Sequence, residues 1–501
     1  MVDSIRFEKY KTAFFLLLLT AGALLVHGYH PYAEDAEIYL PGIEKILNPS
    51  LFPVRQEFFA SHASLTLFPN LIAFSIRLTH LPFAAGLFLW HVASIFLLLL
   101  ACWELGGVCF RSARARWGGV CLVAALLTIP VAGTALYIMD QYLNPRNLAA
   151  FAAIFAVTRT LESKYVQALL WLAFAVCVHP LMGAFACSFC VLLVPMRYFQ
   201  NRRGAPTSLA PTVAGAVSCL LFPFGISLDP PTSEAYHKAA LRHGFHYIQR
   251  WAWYEQLGIL APALLFWWFA RLARKRQWRA LELLCRAFII YDLIYFVMAL
   301  GFDLPARFES LARLQPLRSL HLLYMAMFVV IGGFAAEYVL QNRVWRWLVL
   351  FVPLCAGMFL AQRSLFPASA HVEWPGVAPR NPWEMAFVWI QQNTPVDAVF
   401  ALDPEYMSIP GEDETGFRCL AERSRLADAN KDNGVVSMFP ELADTWLEQV
   451  TAQSPWEKLR IGGLMRLKQM YGVGWVVLRQ PGGQALYCVY QNSAVRVCRV
   501  P

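Results

Sequence analysis

The residues able to do chemistry in this chain are few and grouped. GYHPYAEDAEIYLPG, residues 28–42, places Glu34, Asp35 and Glu37 directly after the apolar run TAFFLLLLTAGALLVH. Asp140 and Arg146 stand in YIMDQYLNPRN, and His179 in CVHPLM. KAALRHGFHYIQRWAWYEQ brings Arg242, His243 and His246 with Arg250 and Glu255, and LARLQPLRSLHLLY brings Arg313, Arg318 and His321. A carboxylate can take the proton from a hydroxyl. Arginines can hold and neutralise a phosphate, bidentately where geometry permits. Each residue also has a plainer reading. Asp35 can cap the helix running toward Leu47, with Pro41 bending it, and Asp140 with Arg146 can close a turn as an ion pair. His179 can serve a carbonyl freed by Pro180. The histidines with Trp251, Trp253 and Tyr254 can form an interfacial belt. Taken together, two carboxylates and several arginines sharing one membrane face favour a site, because polar groups at membrane depth are costly.

The elements that must position these residues are membrane helices. Only 15% of the 501 residues are charged and 58% are hydrophobic, whereas a soluble globular chain carries about 25% charged residues. Runs near 12–28, 83–105, 117–137, 147–161, 165–181, 183–197, 208–226, 255–272, 281–301, 317–340 and 345–365 reach or nearly reach the length a bilayer demands. They predict an all-α polytopic membrane domain of about eleven spans over residues 1–366. The first run has no small-residue cleavage site after it and reads as a retained anchor. SLTLFPNLIAFSIRLTH, residues 64–80, carries Pro69, Arg77 and His80 and reads as a helix lying in the interface.

Basic residues fix the orientation, because Lys and Arg concentrate in cytoplasmic loops. RFEKYK, RSARARW, TRTLESKY, RYFQNRR, RLARKRQWR and QNRVWR then lie inside. Outside lie a large first loop (29–82), the DQYLNPRN turn, 227–254, 302–316 and the tail. This makes the chain an integral multi-pass protein of a bacterial inner (plasma) membrane, with its N-terminus cytoplasmic. The net charge of +9 follows from this asymmetry. No basic patch with interleaved aromatics is present, so nucleic acid is excluded as a partner. Most of the twelve cysteines fall in apolar runs, where they behave as small hydrophobes. Cys187 and Cys190 form a C-x-x-C without the second ligand pair a structural zinc site needs.

From Pro367 the composition changes. A Pro-rich linker, residues 367–380, leads to a small extracytoplasmic α/β domain, residues 381–501. Asn381-Pro382-x-Glu384 reads as a helix start with a capping box, and Ser454-Pro455-x-Glu457 repeats it. DAVFAL, GWVVLRQP, ALYCVY and AVRVCRV read as strands. Cys488 and Cys498 flank a hairpin, a spacing that permits a disulfide and equally arises by chance. Asp403, Glu412, Asp413 and Glu414 read as a solvated acidic loop.

A lipid-linked sugar phosphate presents its phosphate at the depth of the polar cluster. Attack on its anomeric carbon passes through an oxocarbenium-like state, so a placed carboxylate and a stabilised leaving group both lower the barrier. The layout resembles the GT-C superfamily of polytopic glycosyltransferases, which use polyprenyl-phosphate-linked sugars. The matching features are the long first loop with Glu34-Asp35, the interfacial helix before the second span, the acidic turn after the third, and the C-terminal domain. WIQQNTPVDAVFALDP, residues 389–404, is similar to a stretch recurring in the outer domains of such proteins. The resemblance implies that Asp35 is the catalytic base and that Asp140 is a second catalytic acidic residue; like-charge repulsion from the adjacent Glu34 is expected to raise the pKa of Asp35 and so assist catalysis. The bilayer and a polyprenyl-phosphate-linked sugar are the implied partners. Arg146, His179, Arg242, His243, His246, Arg313, Arg318 and His321 are then candidates for substrate binding. No metal ligands are assigned, and a divalent ion stays open as a cofactor. The W-W-D-x-G motif of oligosaccharyltransferases is missing, and the acceptor is unassigned. The same cluster would also serve a transporter or flippase of a lipid-linked or anionic solute, or persist in a non-catalytic family member. No internal repeat of the transporter kind is present. The topology predicts that Pro440→Cys, in a chain otherwise free of cysteine, is labelled by an impermeant reagent from outside the cell. Labelling from the cytoplasmic side alone would overturn the layout.

Overall fold

The computed structural model describes residues 2–201, 233–303, 311, 313–481 and 486–501. The helical part begins with α1 (Val2–His27), α2 (Ala36–Leu47), α3 (Glu57–Ser64), α4 (Phe68–Thr79), α5 (Phe83–Cys109), α6 (Ala113–Ala125) and α7 (Pro145–Leu161). It continues with α8 (Tyr165–Val178), α9 (Pro180–Asn201), α10 (Glu234–Arg242), α11 (Trp253–Lys275), α12 (Arg279–Asp303), α13 (Leu320–Ala335) and α14 (Val344–Leu365). Seven described helices are long and apolar enough to cross a bilayer: α1, α5, α9, α11, α12, α13 with its flanking turns, and α14. The chain is a multi-pass membrane protein. α4 meets α3 at 88° and leaves Phe74 and Leu78 uncovered by protein, as suits a helix lying along a membrane surface.

The expected eleven spans are not all present. The one expected near 208–226 lies outside the described residues. α7 and α8 have 17 and 14 residues, fewer than the roughly 20 needed to cross unaided. The run 117–137 is helical only in its first half. α6 packs closely on α13 through Gly118, where an added Cβ would stand 2.3 Å from the Gly332 carbonyl oxygen, and it stops at Ala125. Residues 126–144 then form a mostly buried loop without helix. Its backbone is satisfied internally by bonds such as Val131 N–H to Leu136 O at 2.8 Å and Met139 N–H to Leu127 O at 2.8 Å. Irregular backbone at this depth is tolerated only when protein surrounds it. This loop carries Asp140.

The C-terminal part comprises α15 (Pro382–Asn393), α16 (Arg418–Ala421), α17 (Lys431–Met438), α18 (Ala443–Gln453) and α19 (Ile461–Tyr471) around a five-stranded sheet. The strands are β1 (Val399–Ala401), β2 (Ser424–Arg425), β3 (Trp475–Arg479), β4 (Cys488–Gln491) and β5 (Val495–Arg499), in the order β2-β1-β3-β5-β4. β2, β1 and β3 run parallel, and β5 and β4 add antiparallel. A disulfide joins Cys488 and Cys498 across the last two strands. Asn381 caps α15 by accepting from the Trp383 N–H at 2.8 Å, but Glu384 turns inward to the Ser369 hydroxyl instead of closing a capping box. The second expected helix start opens only a short turn, Trp456–Lys458, and α19 begins three residues later.

The segment between α1 and α2 joins the two parts. Gly28, at φ +80°, ends α1 in the left-handed region, and a Cβ there would lie 2.6 Å from the His371 carbonyl oxygen. Tyr29 then pairs with Val372, and Ala33 with Thr415. Glu37, in the first turn of α2, is fully buried. Its carboxylate accepts from the Arg418 N–H at 2.6 Å and from Arg418 Nη1 at 3.2 Å, while the same guanidinium holds Asp432 bidentately at 2.8 and 2.9 Å. Removing one member of a buried ion cluster leaves an unmatched charge, which costs about 3–5 kcal/mol. Arg418→Ala is therefore expected to destabilise the protein by about that much and to open the join to protease, whereas Arg499→Ala, which removes an exposed side chain at the end of β5 that stacks on Trp475, has a far smaller effect on both. Unfolding and limited proteolysis in detergent measure both.

Candidate functional site

A cavity of about 420 Å³ lies where one end of the helices meets the C-terminal domain. Glu34 and Asp35, between α1 and α2, line it with Arg146 at the start of α7, His179 between α8 and α9, and Arg318 ahead of α13. Arg242, His243 and His246, which follow from α10, close one side. The C-terminal domain closes the rest with Glu414 and the first turn of α17, including Lys431 and Asn433. Of the sequence candidates, Asp140, Arg313 and His321 do not line it. Asp140 is buried beneath, where one carboxylate oxygen accepts from Arg146 Nη2 at 2.8 Å, Arg146 Nε at 3.1 Å and the Asn144 amide. His321 is turned to the Ile138 carbonyl at 3.0 Å.

Asp35 occupies the N-cap position of α2, yet its side chain makes no capping hydrogen bond. The plain capping reading therefore does not hold. Its carboxylate instead meets Lys431 Nζ at 3.2 Å and Arg146 Nη2 at 3.8 Å, and stays 30% exposed to the cavity. Burial alone would raise this carboxyl, but Lys431, Arg146 and Arg318 outweigh it and hold it at about 2. Glu34 behaves oppositely. It sits at φ +52°, a strained conformation for a side-chain-bearing residue, fixed by its N–H donating to the Glu414 carbonyl at 2.7 Å. Burial pushes its carboxyl up to about 8, with Lys431 opposing and Glu414 and Asp35 adding to the rise. The expectation that Glu34 lifts the pKa of Asp35 is thus reversed: Asp35 carries the charge and Glu34 the proton at neutral pH.

Arg318 is the uncommitted cation of the site. Its guanidinium lies 5.3 Å from the Phe245 ring centroid, its Nε is buried without a hydrogen-bond partner, and no carboxylate within 4.0 Å pairs with it among the described residues. Arg242 is spent on Glu405. Burial keeps His243 near 4 and His246 well below the ordinary histidine value, so both rings are neutral at physiological pH. They stack with centroids 5.1 Å apart.

Lys431, Asn433 and Gln315 have no counterpart among the residues expected at the site, and Glu414 is expected only as part of a solvated acidic loop. The acidic loop is not simply solvated: Asp413 is buried, accepting from the Ala368 and Ser369 N–H groups, and Glu414 reaches Lys431 at 3.6 Å. No pattern in DANKDNG marks Lys431, because the partner it neutralises is 396 residues away. Among the described residues no group of three or more His, Cys, Asp or Glu side chains is placed to hold a metal ion. Lys431 fills the space between the two carboxylates that line the cavity nearest to it.

No family model matches the chain, and no curated protein matches it in sequence. Among solved structures it is similar to the archaeal oligosaccharyltransferase AglB from Archaeoglobus fulgidus, determined in complex with an inhibitory peptide and a dolichol-phosphate. The two share 11% sequence identity at a TM-score of 0.48, over 94% of this chain and 70% of the other. A likeness of that degree assigns no activity.

Proposed function

We propose that the protein is a membrane glycosyltransferase that moves a sugar from a polyprenyl-phosphate-linked donor to an acceptor hydroxyl at the outer membrane surface. The observation that carries this reading is the pairing, in one cavity at the helix ends, of an ionised carboxylate with an uncommitted arginine. Arg318 and Arg146 hold the donor phosphate. The bond from the anomeric carbon to the phosphate oxygen breaks with its electron pair going to the phosphate. The acceptor oxygen bonds to that carbon, and its proton passes to Asp35. Asp140 acts through Arg146, fixing its guanidinium with a matched buried charge.

A carboxylate held at about 2 is a weak base, so its setting has to change during the reaction. A phosphate diester held by Arg318 and Arg146 beside Lys431 offsets the positive charge of all three. Asp35 is then left against its burial alone, which raises its proton affinity when the acceptor is ready to lose a proton. Donor binding and base activation are one event in this scheme. A carrier reading has less support, because beneath Arg318 the helices close on Ala149, Ala153, Phe185 and Met325 with a gap of only about 10 Å³. The disulfide supports an extracytoplasmic C-terminal domain, since disulfides persist in oxidising compartments.

Two measurements test the scheme. General-base catalysis contributes about 10²–10⁴-fold, so Asp35→Asn is expected to lower the transfer rate by that much while still binding donor lipid. A wild-type rate in that variant would remove Asp35 from the reaction. Lys431→Met takes away the largest of the charges that depress the Asp35 carboxyl, so its protonation should shift upward from about 2 toward the ordinary carboxylate range. Infrared pH titration, with the band assigned by its loss in Asp35→Asn, follows this directly. In the wild type the ion pairs of Asp35 stabilise the fold fully above about pH 4, and that contribution fades as the pH falls toward 2.

A further inference from the structure

One wall of the cavity is polar, neutral and unpaired. Asn433 is 1% exposed, and neither its amide oxygen nor its amide nitrogen has a hydrogen-bond partner. His243 Nε2, His246 Nε2 and the Gln315 side-chain oxygen are likewise buried and unpartnered, at 8%, 6% and 8% residue exposure. Buried polar atoms are nearly always satisfied, and each one left unmade costs folding free energy. Several around one cavity imply that something else supplies their partners.

We infer that His243, His246, Asn433 and Gln315 form a subsite for an uncharged, hydroxyl-rich ring, that is, a neutral saccharide. The donor and acceptor inventory selects the ligand. A neutral imidazole nitrogen either donates or accepts, and an amide side chain offers both. Hydroxyl groups, which also do both, satisfy such a mixed wall. A phosphate only accepts and an ammonium only donates, so either would leave part of it unpaired. The cations nearest this wall are Arg318, whose guanidinium lies 5.3 Å from the Phe245 centroid, and Arg242, which is paired with Glu405; the unpartnered atoms themselves belong to neutral side chains. Phe245, between the two histidines in sequence with its centroid 4.5 Å from that of His246, adds apolar surface to this wall beside the same Arg318 guanidinium.

The inference rests on the glycosyl-transfer reading only for which substrate brings the ring, the transferred sugar or the acceptor. It is tested without catalysis, on the full-length protein in lipid nanodiscs. Saturation-transfer NMR is run with glucose, mannose, galactose and N-acetylglucosamine, and with glucuronate and glucosamine as charged counterparts. At least one neutral saccharide is expected to contact the protein, and its charged counterparts to bind about tenfold more weakly or not at all. Asn433→Leu, of similar volume, is expected to weaken the neutral saccharide at least about tenfold while leaving the melting temperature of the ligand-free protein unchanged or higher, since two unpaired polar atoms are gone. His246→Phe keeps the ring and should behave alike. Added glucosyl polyprenyl phosphate displaces the saccharide if the wall holds the transferred ring and leaves it bound if the wall holds the acceptor; both results uphold the subsite. Absence of any neutral saccharide signal, equal binding by both variants, or a fall in melting temperature in both would overturn it. Saccharide binding with no transfer from any donor would uphold the wall and defeat the enzyme reading alone.

Discussion

Buried charge has to be matched by buried charge, and in this protein the match is made across the join between its two parts. Glu37 comes from the first turn of α2, whereas Arg418 and Asp432 come from more than 380 residues later. None can face an apolar surface alone. The three therefore fix how the C-terminal domain sits on the helix ends, more specifically than apolar contact would, because apolar contact is non-directional. Everything at the site follows from that seating. α17 begins at Lys431, one residue before Asp432, so the interaction that docks the domain also sets the height of the lysine over Asp35.

The cavity is an electrostatic compromise. Asp35 is surrounded by enough positive charge to stay ionised in a partly desolvated place, and Glu34 beside it gives up its charge to burial. Two neighbouring carboxyls of nearly equal intrinsic acidity are thereby driven to opposite protonation states. Neither state is set by the pair itself. Burial sets the Glu34 state against the opposing Lys431, whereas Lys431, from the far end of the sequence, leads the charges that keep Asp35 ionised, with Arg146 held ready to contribute by the buried Asp140.

Much of this was legible in the chain. Apolar runs and loop basicity gave the helical part and the level at which polar residues gather, and all eight candidates that line the cavity lie within five residues of a helix end. The first-loop acids, Arg146, His179, Arg242, His243, His246 and Arg318 share one cavity because helix ends are where a polar side chain is tolerated. Three kinds of information were missing. The stretch 117–137 looks like a span because a buried loop is as apolar as a helix, and hydropathy does not tell them apart. The acidic loop looked solvated because the Asn381 and Ser369 groups that bury Asp413 are remote in sequence. Lys431 looked ordinary because a single lysine in a polar stretch has no periodicity to give it away.

The join also has a consequence for how the protein is made. Synthesis runs from the first residue to the last, so Glu37, Asp35 and Arg146 exist long before Arg418, Lys431 and Asp432 leave the ribosome. Through that interval the cavity has no roof, Glu37 has no counter-charge, and the first loop has nothing to pair Ala33 against. The acids of a half-made chain are open to water and can be accommodated only as separate solvated groups. A truncated product, lacking its last hundred residues, would thus insert its helices and yet hold no assembled pocket, which makes completeness of the chain a condition for ligand capture.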